Sequence, residues 1–253
     1  LDLGSSSGSF DSSQYRCLVV RADLEFHRSH DSHFVQCDAR ALPFASHTFD
    51  AIVLNHSLEH FRELGTCLSE IGRIAKSSCS MFISVPDSSA VSDRLYRWLG
   101  RGGGHVNLFS DPCELAAIIS SSTEMSHYAT KVLTTSLCFL NRNNIKSRMP
   151  VRMVCVFFGA EWFVRGVVYL FRQIDHLFGL KLSRYGWALY FGMSLPIDHA
   201  VWTNVCIRCG AGHPDRVLRS TNAIRRRRLL PDWYNCPSCG TKNLYTEDAV
   251  GHN

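Results

Sequence analysis

The stretch Leu1-Asp2-Leu3-Gly4-Ser5-Ser6-Ser7-Gly8 decides the fold. Two leucines around an acid read as the end of a buried strand. The glycines and serines after them read as a turn into a helix. Small residues at such a turn let the backbone approach a ligand closely, and the helix start points N–H groups at it. Asp23 follows 19 positions after Gly4, close to the spacing at which an acid grips ribose hydroxyls in nucleotide-binding βαβ units.

Working outward, residues 17–22 (CLVVRA) form an apolar, β-branched run that predicts a second strand, and residues 34–36 (FVQ) a short third one. Residues 51–54 (AIVL) and 81–85 (MFISV) predict buried strands. Between them Leu58, Phe61, Leu64, Leu68, Ile71 and Ile74 recur at helical spacing. Asp111-Pro112-Cys113-Glu114 is a helix start, with Asp as N-cap, Pro at the first helical position and Glu as capping-box partner; that helix is expected to run to about Ser120. Residues 161–180 predict an amphipathic helix with Phe163, Val167, Leu170, Phe171, Ile174, Leu177 and Phe178 on its apolar side. Such a helix packs against the sheet, closes as a lid, or lies on a membrane interface to reach dissolved substrates. Residues 185–191 (YGWALYF) predict the last strand of the sheet. Strands alternating with helices give an α/β class: a Rossmann-like, doubly wound, mainly parallel sheet covered on both faces.

The expected domains are residues 1–200, with a helical insertion at about 140–182, and a small C-terminal module at 201–253. The chain starts without Met and already inside a strand, so a helix and part of the first strand are expected before Leu1. Of its 253 residues 45% are apolar and 19% charged, enough to bury a core. No uncharged apolar run is long enough to span a membrane. No repeat of solenoid type occurs. The net charge is +5, of which residues 201–253 carry +4.

The order Leu-Asp-Leu-Gly-x-x-x-Gly, Asp23, Asp38-Ala39-Arg40-Ala41-Leu42-Pro43-Phe44, Phe49-Asp50 and Leu58-Glu59-His60 resembles the class I S-adenosylmethionine-dependent methyltransferases. Within them it is most similar to the group containing the ubiquinone- and menaquinone-biosynthesis methyltransferases. The likeness spans roughly residues 1–120. It implies that Gly4, Ser6 and Gly8 form the loop under the methionine part of the cofactor, with Asp2 near its amino group. It further implies that Asp23 holds the ribose diol, Leu24 touches the adenine face, and Asp38 accepts from the adenine amino group beside the Ala39 N–H. Asn55 would line the pocket near the sulfonium. The sequence departs from the family at Ser6, where a glycine is usual and where serine calls for an ordinary backbone conformation. It departs again at Ser77-Ser78-Cys79, where a glycine pair is usual.

Methyl transfer needs a nucleophile held in line with an already activated methyl group, and a general base only for a protonated, weakly nucleophilic acceptor. His56, His60 and His105 are the candidate bases, on loops at the carboxyl edge of the strands. His105 is favoured, because Gly104-His105-Val106-Asn107-Leu108-Phe109 resembles the segment closing over the acceptor in related enzymes. Glu59 and His60 also read as plain helix-start residues, and Asp50 as a structural residue.

Cys206-Ile207-Arg208-Cys209 and Cys236-Pro237-Ser238-Cys239 are two C-x2-C pairs separated by 26 residues. Four thiolates so spaced close a tetrahedral zinc site, and the metal supplies folding energy that a module of this size lacks. The pattern resembles a structural zinc ribbon. Between the pairs, Arg225 to Arg228 with Trp233 and Tyr234 offer charge and stacking for RNA, or a solvated face. The seven remaining cysteines are scattered, as core thiols of a reducing, cytoplasmic compartment are. The leading expectation is methyl transfer to a small-molecule or glycan/lipid-linked acceptor, with peripheral membrane contact but no transmembrane segment. The rivals are an RNA methyltransferase docked through the ribbon, and a non-catalytic zinc-bearing scaffold.

Overall fold

Seven strands form the main sheet of the computed structural model: β1 (Asp2–Leu3), β2 (Arg21–Asp23), β3 (Phe34–Gln36), β4 (Phe49–Asn55), β5 (Ala75–Pro86), β6 (His127–Thr134) and β7 (Arg184–Gly192). The structure describes residues 1–6, 8–26, 33–100, 104–144, 159–193, 203–226 and 231–247. The strands lie in the order β3-β2-β1-β4-β5-β7-β6. β1 is parallel to β2 and β4, β2 to β3, and β4 to β5, while β7 runs antiparallel to β5. The mainly parallel, Rossmann-like sheet is the one expected. Chain order reverses between β1 and β4, and a crevice opens at the carboxyl ends of strands where such a reversal occurs.

Five α-helices accompany the strands among the described residues: α1 (Leu64–Ile74), α2 (Val91–Leu99), α3 (Pro112–Thr123), α4 (Glu161–Phe178) and α5 (Asp215–Ser220). The helical spacing from Leu58 is interrupted. Leu58–His60 is a single 3-10 turn, and α1 starts only after Glu63, whose φ of 52° is left-handed. α3 starts as its sequence demands, with the Asp111 carboxylate accepting from the N–H groups of Cys113 and Glu114. It runs three residues past the expected end. α1 contributes Leu68, Ile71 and Ile74 to the core, and α3 contributes Leu115 and Ile119, against Ile52, Leu54, Ile83 and Val85 of the sheet. Each such side chain, fully buried, stabilises the fold by about 1.5–3 kcal/mol.

The first crossover differs from expectation. Between β1 and β2 the described residues hold one 3-10 turn, Ser12–Gln14, and no α-helix. The segment is rich in serine and has no i, i+3, i+4 apolar repeat with which to bury a helical face. The second strand is also shorter and later than residues 17–22; Cys17 and Leu18 are exposed.

Two compact units divide the chain. One comprises Leu1–Ser88, Gly104–Lys131 and Gly186–Ile197, the other Ser89–Gly103, Val132–Tyr185 and Asp198–Asn253. One cut falls at 197/198, beside the expected boundary at 200, and the second unit also takes in Ser89–Gly103 and Val132–Tyr185. In the second unit, a hairpin of β8 (Asn204–Val205) and β9 (Gly212–His213) and a three-stranded sheet of β10 (Ile224–Arg225), β11 (Trp233–Asn235) and β12 (Lys242–Leu244) carry the cysteine module. α4 packs on that module. Its Val164 and Val168 cluster with Leu137 and Ile207, Arg165 donates to the Lys242 carbonyl at 2.8 Å, and buried Arg172 donates to the Val205 carbonyl at 3.1 Å. The most buried line of α4 is therefore Val164, Val168 and Arg172, one step around from the apolar side read in the sequence. Trp162, Leu170, Leu177 and Phe178 stay exposed. No described helix is long and apolar enough to cross a membrane.

β7 depends on a bare backbone where it meets β5. A Cβ on Gly186 would stand 2.0 Å from the Val85 carbonyl oxygen. Gly186→Ala is expected to cost about 1–3 kcal/mol, as overpacking does, and to lower Tm by several degrees in a thermal melt.

Candidate functional site

The crevice at the β1/β4 reversal holds a cavity of about 660 Å³, within the range of small-molecule sites. Its walls come from the turns after four strands. Leu3 ends β1 and Gly4 and Ser6 follow it, Asp23 ends β2 and Leu24 follows it, Asp38, Ala39 and Arg40 follow β3, and His56, Ser57, His60 and Phe61 follow β4.

Gly4 makes this convergence possible. Its φ is 68°, and a Cβ there would lie 2.4 Å from Ser57 Cβ. Ser57 in turn donates its hydroxyl to the Leu3 carbonyl at 3.1 Å. Ser6 overturns the expectation of an ordinary backbone: its φ is 47°, in the left-handed region. Its amide donates to Asp23 Oδ2 at 2.7 Å, and the Glu25 amide donates to Oδ1 of the same carboxylate at 3.0 Å. A single acid thus fixes both the loop after β1 and the turn after β2. Leu24 is exposed beside it and offers an apolar surface to the cavity.

Asp38 sits in an ion-pair network. Arg40 contacts both of its carboxylate oxygens, the shortest at 2.7 Å, and reaches Glu63 at 2.6 Å. The Arg40 guanidinium holds the Asp38 carboxyl below the usual carboxylate range. Any donor approaching Asp38 therefore meets an acid already shared with Arg40. Arg40 and Glu63 were not singled out in the sequence, although an Asp-x-Arg pair on a turn is a legible signal. Cys37 and Cys67 also line the cavity; burial pushes both thiols up to about 11, so they stay protonated and are poor nucleophiles near neutral pH.

Four expected residues do not line the cavity. Asp2 is fully buried beneath the loop, accepting from the Ser9 amide at 3.0 Å with Arg21 Nη1 at 3.9 Å. Gly8 lies against the Arg21 guanidinium, which a Cβ would strike at 1.1 Å. Asn55 accepts from Ser84 Oγ at 2.6 Å. His105 stands behind His60, their rings in edge contact at 5.1 Å. Asp23 and Asp38 thus face the cavity, while Asp2 shapes its floor from below.

The second constellation is the cysteine module. The sulfurs of Cys206, Cys209, Cys236 and Cys239 all lie within 4.8 Å of one another. Each pair forms a tight knuckle closed by a left-handed glycine, Gly210 donating to the Cys206 carbonyl at 3.0 Å and Gly240 to the Cys236 carbonyl at 2.8 Å. Asn243 and the Arg208 amide donate to Cys206 Sγ, and His213 Nε2 lies 3.1 Å from Cys236 Sγ. Donors aimed at sulfur are what thiolate ligands require. His213 and Asn243 were not legible as partners, because the strands that bring them there are only two and three residues long. Of the RNA-stacking candidates, Tyr234 is buried in the module and Lys242 Nζ lies over the Trp233 ring at 3.9 Å. Arg227 and Arg228 lie outside the described residues.

Residues 1–83 match the family model described as a methyltransferase domain. The fold is similar to that of the YcgJ protein of Bacillus subtilis, at 16% identity over 78% of this chain and 91% of that one, with a TM-score of 0.50. It is equally similar to a SAM-dependent methyltransferase from Archaeoglobus fulgidus, at 15% identity over 76% of this chain and 84% of that one, with a TM-score of 0.50. No curated protein matches the chain. These neighbours show the fold, a Rossmann-like methyltransferase fold, and the methyltransferase-domain match lies within it at residues 1–83.

The left-handed Ser6 generates a test. Ser6→Val, β-branched at positive φ, is expected to lose about 2 kcal/mol, whereas Ser6→Gly is expected to melt no lower than the parent in the same calorimetric scan.

Proposed function

We propose that this chain transfers a methyl group from S-adenosylmethionine to a small-molecule or glycan/lipid-linked acceptor. The observation that carries the reading is the convergence of Gly4, Ser6, Asp23, Leu24 and Asp38 on one cavity. Those residues fit an adenosyl group. Asp23 supplies a carboxylate to the ribose hydroxyls, Leu24 an apolar face to the base, and Asp38 an acceptor to the exocyclic amine. The Gly4 turn leaves room where a side chain would intrude. When bound, the cofactor supplies an electrophilic methyl group on a sulfonium. The chain's own contribution is to hold the acceptor in line beside His56, His60 and Phe61 and to limit water there. Asp2 and Gly8 keep the loop in shape from below. The ubiquinone-like subgroup is part of this proposal.

The exposed Trp162, Leu170, Leu177 and Phe178 on α4 favour an acceptor with an apolar portion, met by peripheral contact with a membrane. The RNA alternative loses much of its platform with Tyr234 buried. The described scattered cysteines carry free thiols, which favours a reducing, cytoplasmic setting. The retained Asp23 and Asp38 speak against a purely non-catalytic scaffold.

Calorimetry with S-adenosylhomocysteine tests the site. Binding is expected, and Asp23→Ala is expected to weaken it at least about tenfold, the loss of a charge-assisted hydrogen bond. No binding by the parent chain would falsify the reading. Incubation with radiolabelled S-adenosylmethionine and fractionated extract then identifies the acceptor; label in the lipid or small-molecule pool is expected, and label confined to RNA favours the rival.

We further propose that the four cysteines hold one structural zinc. Elemental analysis is expected to give one zinc per chain. Cys236→Ser or a strong chelator is expected to release it and to expose Tyr234, read as a change in Trp233 and Tyr234 fluorescence. A metal-free chain with the same melt and spectra would contradict this.

A further inference from the structure

We propose that Glu59, His60 and His105 form a second metal site, for a divalent transition cation, behind the His60 wall of the cavity. One ligand atom from each of the three lies within 4.8 Å of the other two. Two imidazoles and one carboxylate are a donor set for divalent transition cations, and three protein ligands leave positions open for outside oxygen atoms.

The second observation is a buried acid with an unused oxygen. Glu59 is 2% exposed, and its Oε2 is buried with no hydrogen-bond partner. His56 Nδ1 lies 3.7 Å from the other oxygen, Oε1. A buried carboxylate oxygen with no hydrogen-bond partner is costly, and a cation is a partner that removes the cost. Salt-bridge contact with His56 alone leaves Oε2 unaccounted for.

The orientation of the imidazoles adds to this. His60 Nδ1 sits 3.0 Å from the Gly104 carbonyl oxygen. A carbonyl only accepts, so Nδ1 carries the proton and Nε2 presents its lone pair, the arrangement that fixes a metal-binding histidine. The loop bearing His105 is pinned onto the turn bearing Glu59. Val106 and Asn107 donate their amides to the Glu59 carbonyl at 2.9 and 3.0 Å. The Asn107 side chain donates to the Leu58 and Phe61 carbonyls at 3.1 and 2.7 Å. Four hydrogen bonds thus lock two segments more than forty residues apart so that His105 meets His60 and Glu59. Such outer bonds are what a preorganised metal site needs.

His60 lines the cavity that also holds Asp23 and Asp38. A cation beside it would take an oxygen of the acceptor into an open position, which selects hydroxyl- or carboxylate-bearing acceptors. That last role rests on the methyl-transfer reading; the cation site itself does not. It also reassigns His60 and His105 from candidate bases to ligands.

The test uses the full chain loaded with one equivalent of zinc, which the four thiolates take, titrated with Mn2+ alone and followed by electron paramagnetic resonance. Mn2+ favours oxygen and nitrogen donors and leaves a filled four-sulfur site alone. One bound Mn2+ is expected in the parent. Glu59→Gln and His105→Ala are each expected to weaken it at least about tenfold, with unchanged circular dichroism. Asp23→Ala is expected to leave Mn2+ binding intact while losing S-adenosylhomocysteine, so the two sites fail independently. Equal Mn2+ binding by the parent and both ligand variants, or none by the parent, would overturn the proposal. If Glu59→Gln fails to fold, His105→Ala, on a loop, decides alone.

Discussion

The loop after β1 lies directly on the turn after β4, and the cavity exists because of it. Gly4 has no side chain where Ser57 stands, and the Ser57 hydroxyl closes the contact on the Leu3 carbonyl. Two parallel strands with opposite onward directions create the crevice, but only this close approach keeps its floor narrow. From that contact the rest follows in order. The loop continues to Ser6, whose amide reaches Asp23, and Asp23 carries the turn on which Leu24 is presented. A larger residue at position 4 would lift the loop and separate the walls.

The floor is maintained by charge as well as shape. Asp2 is buried, its neighbour Arg21 is buried beside it, and Arg21 donates to the Phe10 carbonyl at 2.8 Å. This braces a segment with no α-helix among its described residues. The serine-rich crossover is thus held by two buried charges, where an α-helix packed on the sheet would otherwise serve.

Much of this was legible in the sequence, for reasons that differ by residue. Strands such as 51–54 and 81–85 read as short apolar runs because Ile52, Leu54, Met81, Ile83 and Val85 are buried in the core. Asp111-Pro112 announces a helix start by its own chemistry. The acids Asp23 and Asp38 follow strand ends, so their order alone brings them to one edge. Asp2 starts β1 and Asn55 ends β4, yet their side chains turn to Ser9 and Ser84, and which way a strand residue faces depends on neighbours far away in sequence. Ser6 was misread because serine at positive φ is uncommon, and only the pull of Asp23 explains it. The β6 strand was not foreseen, since residues 127–134 show no clean apolar period, whereas α2 was legible in Val91, Leu95, Trp98 and Leu99 at helical spacing. The cysteine spacing identified the module, but the packing of α4 upon it depends on Arg165 and Arg172, two charged residues that a hydrophobicity pattern places in water.

The central claim is that one cavity edge, built by the Gly4 turn and Asp23, receives an adenosyl ligand. Hydrogen–deuterium exchange with and without S-adenosylhomocysteine tests it most directly. Slower exchange confined to the segments around residues 4–6, 23–25 and 38–41 is the result this account predicts. Unchanged exchange in those segments at saturating ligand, or protection confined to the cysteine module, would contradict it.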